Sequence, residues 1–79
     1  MAMQIDILTP EKSLYSGKVI AVQFPGVEGS FQILTDHAPL VAALGAGQIV
    51  IETANGSESI DIPGGLVEVS NNILSVLAQ

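Results

Sequence analysis

Apolar and polar residues alternate along most of this chain, and this period of two constrains its fold more than any other feature. Successive side chains of a β-strand point to opposite faces, so the alternation is typical of strands that are buried on one face. No segment keeps a helical period for three turns, because Gly45 and Gly47 interrupt the apolar run that begins at Val41. The alternating segments are 3–7, 20–24, 48–52, 59–62 and 67–69.

Turn-forming residues separate these segments. Asn55-Gly56 predicts a type I′ hairpin, since both central residues of that turn need positive φ. Pro25-Gly26 and Asn71-Asn72 mark further turns, as does the run at 63–65. Short strands at intervals of about 8–12 residues, with turns between them, predict an antiparallel sandwich or barrel. The length of 79 residues predicts a single domain, 1–79.

The segment 73–77 departs from the alternation. Apolar residues stand at four of its five positions, so both faces of one strand are apolar. A strand of this kind is normally covered on both sides. We expect a central strand whose second face is covered by a loop, by a partner or by a further domain.

Composition and charge exclude several classes of protein. Apolar residues make up 48% of the sequence and aromatic residues 4%, so the core must be aliphatic. The absence of cysteine rules out a disulfide framework, a thiolate metal site and a cysteine nucleophile. A net charge of −6 speaks against nucleic acid and against direct attachment to anionic lipid, because both need clustered lysine and arginine. The longest weakly polar stretch, 38–51, is too short to span a bilayer, so no lipid insertion is expected.

His37, beside Asp36, is the first candidate for chemistry. The pair suggests an oriented general base. No nucleophile can be placed beside it from the sequence, so we expect a turn histidine that bonds to backbone and predict no catalytic residue. One histidine and scattered carboxylates have no metal-ligand spacing, so no metal is predicted.

Two further features have binding interpretations. Gly26-Val27-Glu28-Gly29 lacks the lysine of a phosphate-binding loop and precedes a strand, so no nucleotide or other cofactor is predicted. A carboxylate held on such a tip is well placed to dock on a basic loop. Lys12 and Lys18 leave one alternative open, because lipoyl- and biotinyl-carrier domains are acidic β-sandwiches with a modified lysine at a hairpin tip. Neither lysine has the flanking residues of those domains.

Five motifs in order resemble the amino-terminal domain of the epsilon subunit of F-type ATP synthases, and the likeness covers essentially the whole chain. Each motif alone occurs in many strands and turns, whereas their order along the chain is specific. The motifs are Asp6-Ile7-Leu8-Thr9-Pro10-Glu11-Lys12, Leu14-Tyr15-Ser16-Gly17, His37-Ala38-Pro39-Leu40, the Pro-Gly-Gly-Leu-Val-Glu-Val run at 63–69, and 72–78.

The resemblance implies an all-β fold, a flattened antiparallel β-sandwich of about ten short strands. It also implies a mechanical, non-enzymatic function in the central stalk, where the domain helps to couple proton-driven rotation to ATP synthesis. The implied location is the cytoplasmic face of the bacterial inner membrane, reached through the complex. The family commonly continues into a carboxy-terminal helical hairpin associated with inhibition of ATP hydrolysis. The 79 residues contain no such helices, so we predict no inhibitory activity for them.

The resemblance further implies two contact surfaces. One faces the polar loops of the c-ring and includes Glu28, Gly29, Ser30 and His37. The other faces the gamma subunit and includes Thr9, Pro10, Glu11, Val41, Ala42 and Ala43. The sequence departs from the family pattern at Ser30, Gln32 and Thr35-Asp36, where an acidic residue, a glycine and Pro-Gly are common.

Overall fold

A computed structural model describes residues 2–79. In this part of the chain it contains nine β-strands and no helix, which confirms the predicted all-β class with nine strands in place of about ten. The strands are β1 (Met3–Leu8), β2 (Ser13–Val19), β3 (Ala21–Phe24), β4 (Phe31–Leu34), β5 (Leu40–Leu44), β6 (Gly47–Thr53), β7 (Gly56–Ile62), β8 (Gly65–Ser70) and β9 (Ile73–Ala78).

The strands form two sheets. A five-stranded sheet has the order β2-β1-β9-β8-β5, and a four-stranded sheet has the order β4-β3-β6-β7. Neighbouring strands are antiparallel with one exception, the parallel pair of β1 and β9, in which Gln4 lies beside Ile73. The sandwich is therefore not purely antiparallel. Only antiparallel neighbours can be joined by a tight hairpin. Between β1 and β9 the chain instead passes through the seven other strands.

The core lies between the two sheets and is almost wholly aliphatic, as the composition predicted. Ile5 and Ile7 of one sheet and Ile33 and Ile51 of the other have no exposed surface. Phe24 is the largest fully buried side chain. Among residues 2–79 no polar or charged residue is buried, so every polar side chain described lies at or near the surface.

β9 lies at the centre of the five-stranded sheet, which explains its apolar pattern in part. Leu74 and Val76 point into the core and are buried. Ile73 and Leu77 point outward and are 51% and 59% exposed. The expected central strand is confirmed, and within residues 2–79 nothing covers its outer face.

The turn between β6 and β7 differs from the predicted type I′ hairpin. Thr53 pairs with Gly56, so the two residues of the loop are Ala54 and Asn55, and only Gly56 has positive φ, 131°. The Thr53 hydroxyl accepts a bond from the Asn55 N–H and donates to the Gly56 carbonyl, which stabilises this alternative. Two consecutive residues with positive φ occur instead at Asn71 (52°) and Asn72 (63°), between β8 and β9.

Candidate functional site

The acidic tip between β3 and β4 is fastened to the edge of the other sheet. The Val27 N–H donates to the Ala43 carbonyl at 3.1 Å, and the Gly45 N–H donates to the Pro25 carbonyl at 2.8 Å. A further bond from the Gly29 N–H to the Gly26 carbonyl, at 3.1 Å, closes the turn. Residues 27–30 remain exposed, so the tip presents Glu28 to solvent from a fixed position.

Gly26 is required by space at the base of this tip. A Cβ atom at this position would lie 2.6 Å from the Gly29 carbonyl oxygen and 2.9 Å from the Phe31 ring. Gly29 is required by conformation, because its φ of 130° is rare for residues with a side chain. Glycine is thus required at these two positions for different reasons, lack of space at one and backbone conformation at the other.

The tip and strand β5 together line a cleft of about 340 Å³. Its walls include Glu28 and Gly29 from the predicted c-ring set, and Val41, Ala42 and Ala43 from the predicted gamma set. The structure therefore brings together residues that the resemblance assigned to two different partners. Ser30 follows the tip and is exposed, but it does not line the cleft.

His37 lies apart from the cleft, in the turn that precedes β5. Its Nδ1 is 2.8 Å from the Ala38 carbonyl oxygen, and since a carbonyl only accepts, the ring nitrogen donates. The His37 N–H donates in turn to the Leu34 carbonyl at 3.2 Å. The prediction of a backbone-bonded turn histidine is confirmed.

Asp36 does not orient the His37 ring. Its carboxylate accepts a bond from Asn72 Nδ2 at 3.0 Å, and its N–H donates to Asn72 Oδ1 at 2.7 Å. This reciprocal pair holds Asp36 in a left-handed conformation, with φ of 66°, which few residues other than glycine adopt. Asn72 therefore positions Asp36. The sequence pattern indicated only that Asn72 lies in a turn.

The other predicted gamma segment, Thr9-Pro10-Glu11, forms the loop between β1 and β2. The Thr9 hydroxyl accepts bonds from the N–H groups of Glu11 (3.3 Å) and Lys12 (3.1 Å), which orders the loop. This loop lies toward the opposite edge of the five-stranded sheet from β5. The two predicted gamma segments are therefore separated by the width of the sheet.

A row of exposed apolar residues crosses the sheet between these two segments. Strand register places Leu8 beside Leu77, Leu77 beside Leu66, and Leu66 beside Ala43. The three leucines are 40%, 59% and 43% exposed. We call these four residues the apolar row. The sequence could not reveal it, because it depends on the register of four strands, of which only β8 and β9 are consecutive along the chain.

The structure offers no support for the other candidates from the sequence, which are the two lysines and a metal site. Lys18 lies inside β2, so it is not at a hairpin tip. Lys12 immediately precedes that strand. The described residues contain no cluster of side chains that could hold a metal ion. They also contain no helix long and apolar enough to cross a membrane.

Comparisons with known proteins agree on one family. A family model described as the ATP synthase Delta/Epsilon chain β-sandwich domain matches residues 2–79. The ATP synthase epsilon chain of Leptospira borgpetersenii is 43% identical over 77 residues, which are 98% of this chain and 61% of that protein. The epsilon chain of Rhodopseudomonas palustris (strain BisB18) is 45% identical over 76 residues, which are 96% and 56%. The chain thus spans little more than half the length of these two relatives.

Other comparisons extend this result. The epsilon chain of Chlorobium limicola is 44% identical over 79 residues and is covered to 90% of its length. A chain of the Euglena gracilis mitochondrial ATP synthase superposes with a TM-score of 0.90 at 19% identity, covering 98% of this chain and 50% of that one. A chain of the Tetrahymena thermophila mitochondrial ATP synthase central stalk and c-ring superposes with a TM-score of 0.83 at 21% identity, covering 100% and 64%. At these identities the two structures show the same fold.

Proposed function

Because the chain belongs to the family of ATP synthase Delta/Epsilon chain β-sandwich domains, we propose that it is a non-catalytic central-stalk subunit of an F-type ATP synthase. In this role it binds the gamma subunit and the c-ring and helps to couple proton-driven rotation to ATP synthesis. It is located at the cytoplasmic face of the bacterial inner membrane through the complex and needs no cofactor. A carrier role for Lys12 or Lys18 is not favoured by this family.

The observation that carries the proposal is the family match, which extends over all of residues 2–79. A rigid aliphatic sandwich suits a subunit that transmits torque, because close-packed interiors deform little. The absence of buried polar groups among residues 2–79 fits a core of purely structural character.

The gamma subunit is proposed to bind the outer face of the five-stranded sheet. The apolar row connects the loop containing Thr9, Pro10 and Glu11 with the segment Val41, Ala42 and Ala43. Three partly exposed leucines in one line are more than scattered surface residues, and contiguous exposed apolar groups mark interaction sites. The c-ring is proposed to contact the exposed residues of the tip, Glu28, Gly29 and Ser30, together with His37.

Calorimetry with the isolated gamma subunit tests the first contact. Leu77→Ser removes the most exposed leucine of the apolar row and is expected to weaken binding by about tenfold, the equivalent of about 1.4 kcal/mol. Leu34→Ser is the matched control, because Leu34 is 53% exposed but lies on β4 of the other sheet. Absence of binding by the folded unmodified chain would refute the stalk role. Equal effects of the two substitutions would refute the placement of the gamma surface.

A further inference from the structure

Strand β5 has an open edge with unused backbone hydrogen-bonding groups. It is the last strand of its sheet, and it pairs along its whole length with β8, whereas on its other side Leu44 forms one isolated bridge with Gly26. On its other side, the only described bonds are those made by Pro25 and Val27 of the tip. These bonds occupy the Ala43 carbonyl and the Gly45 N–H, which lie at the carboxyl end of the strand.

The hydrogen bond from the Val27 N–H to the Ala43 carbonyl shows which backbone groups of β5 point away from β8. N–H and C=O groups of residues two apart in a strand point to the same side. Because the Ala43 carbonyl points away from β8, the N–H and C=O of Val41 point away from it as well. The N–H of Val41, the C=O of Val41 and the N–H of Ala43 therefore form a run beside the cleft that has no backbone partner among residues 2–79.

β5 lacks the usual protection of an edge strand along its amino-terminal half. Natural edges are guarded by charged side chains, proline, bulges or a covering loop, and the tip covers only the carboxyl end of β5. Residues 38–51 contain no charged side chain, and Val41 and Ala43 are both exposed. In contrast, the edge strands β2 and β7 carry charges, at Lys18 in the first and at Glu58 and Asp61 in the second. The edge strand β4 is uncharged but has only four residues.

The charges around the cleft restrict what can pair with this edge. Glu28 lines the cleft, and Glu68 is the cross-strand partner of Val41 on β8. Both lysines lie at the far edge of the sheet, in β2 and just before it. A second copy paired through its own β5 would bring two Glu28 and two Glu68 side chains to one junction, and like charges there oppose association.

We infer that β5 accepts an extended, basic segment of the gamma subunit as an added strand, with backbone bonds at Val41 and Ala43 and a lysine or arginine facing Glu28 or Glu68. This inference rests on the proposed stalk role and deepens it by naming the mode of binding. Strand addition of this kind takes its affinity from main-chain bonds and its specificity from neighbouring side chains. The small side chains of Ala42 and Ala43 let the added backbone approach closely.

Val41→Pro tests the backbone bonds directly. Proline removes the Val41 N–H, and it is tolerated on an edge strand where that group faces solvent. We expect binding to the isolated gamma subunit, measured by calorimetry, to weaken by about tenfold or more, with an unchanged urea midpoint for unfolding. Val41→Ala keeps the N–H and is expected to stay within about threefold of the unmodified chain. Equal affinities for Val41→Pro and the unmodified chain would overturn strand addition while leaving the stalk role standing.

Amide hydrogen exchange on the unmodified chain gives a second readout that needs no substitution. In the free chain the amides of Val41 and Ala43 should exchange fast, whereas those of Ala42 and Leu44, bonded to β8, should be protected. Addition of the gamma subunit should protect Val41 and Ala43 specifically, and unchanged exchange at both would overturn the inference. A dimer in light scattering that Val41→Pro dissolves would identify a second copy as the occupant and would equally overturn it.

The basic character of the segment is tested by charge removal. The double variant Glu28→Gln/Glu68→Gln is expected to lower the affinity for the gamma subunit by about tenfold. Glu58→Gln, on β7 of the other sheet, is the matched control and should have no effect. Equal affinity of the double variant and the control would show that the segment is not basic.

Discussion

The reciprocal pair of Asp36 and Asn72 should stabilise the turn that presents His37. Asn72→Gly removes both hydrogen bonds but keeps a residue that accepts the positive φ of 63°. Each bond is worth about 0.5–1.5 kcal/mol, and both are exposed, so we expect a loss of about 1–2 kcal/mol. Asn72→Ala adds the cost of a left-handed alanine, about 1 kcal/mol or more.

Urea unfolding followed by circular dichroism measures both losses. A protein of this size has an m-value of about 1 kcal/mol/M, so the midpoint should fall by about 1–2 M in Asn72→Gly and further in Asn72→Ala. The total stability expected for such a chain is only about 4–12 kcal/mol, so these shifts are large.

A double-mutant cycle isolates the bond between the two side chains. Asp36→Gly removes the carboxylate at a position whose φ of 66° glycine accepts, so conformational cost does not obscure the result. Combined with Asn72→Gly, it should give a coupling energy of about 0.5–1.5 kcal/mol. A coupling energy indistinguishable from zero, together with an unchanged midpoint for Asn72→Gly, would refute the reasoning.

Three further predictions concern the tip and the core. Glu28→Lys should weaken association with isolated c-rings in a co-sedimentation assay while leaving the urea midpoint unchanged, because the side chain is exposed; an unfolded variant or unaltered association would contradict this. Gly26→Ala should cost about 1–3 kcal/mol through overpacking against Gly29 and Phe31, whereas Gly45→Ala, whose Cβ would meet nothing closer than 3.8 Å, should cost less in the same unfolding assay. Leu74→Ala should cost about 2–5 kcal/mol because Leu74 is fully buried, whereas Leu77→Ala, on the exposed face of the same strand, should cost far less in thermal unfolding, and similar losses would contradict the assigned faces.

Local patterns explain why so much of the fold was predictable. Alternation identified the buried residues of β1, β6 and β8, since each strand needs only its own period to select a face. Asn55-Gly56 correctly predicted the hairpin between β6 and β7 but not its turn type, because the Thr53 side chain bonds to the same turn. The resemblance supplied the candidate surfaces, but it could not say that Glu28 and Val41 line one cleft.

What remained unpredictable depends on pairing between distant strands. The apolar row exists only because Leu8, Leu66 and Leu77 fall in register on three different strands. The contact of Asp36 with Asn72 joins two turns that are 36 positions apart. The periodicity of a single segment cannot predict either the apolar row or the contact between the two turns.

The parallel pairing of β1 and β9 has a consequence for how the protein folds. The four-stranded sheet uses only residues 21–62, so none of its pairings depends on β8 or β9. β1 must wait for β9 before it acquires its inner neighbour, since the two lie near opposite ends of these residues. Pairings between distant strands form slowly, because the intervening chain must first be ordered. Closure of the five-stranded sheet, which carries both proposed gamma segments, therefore requires strands from both ends of the described chain, and we expect its pairing to be the slower of the two.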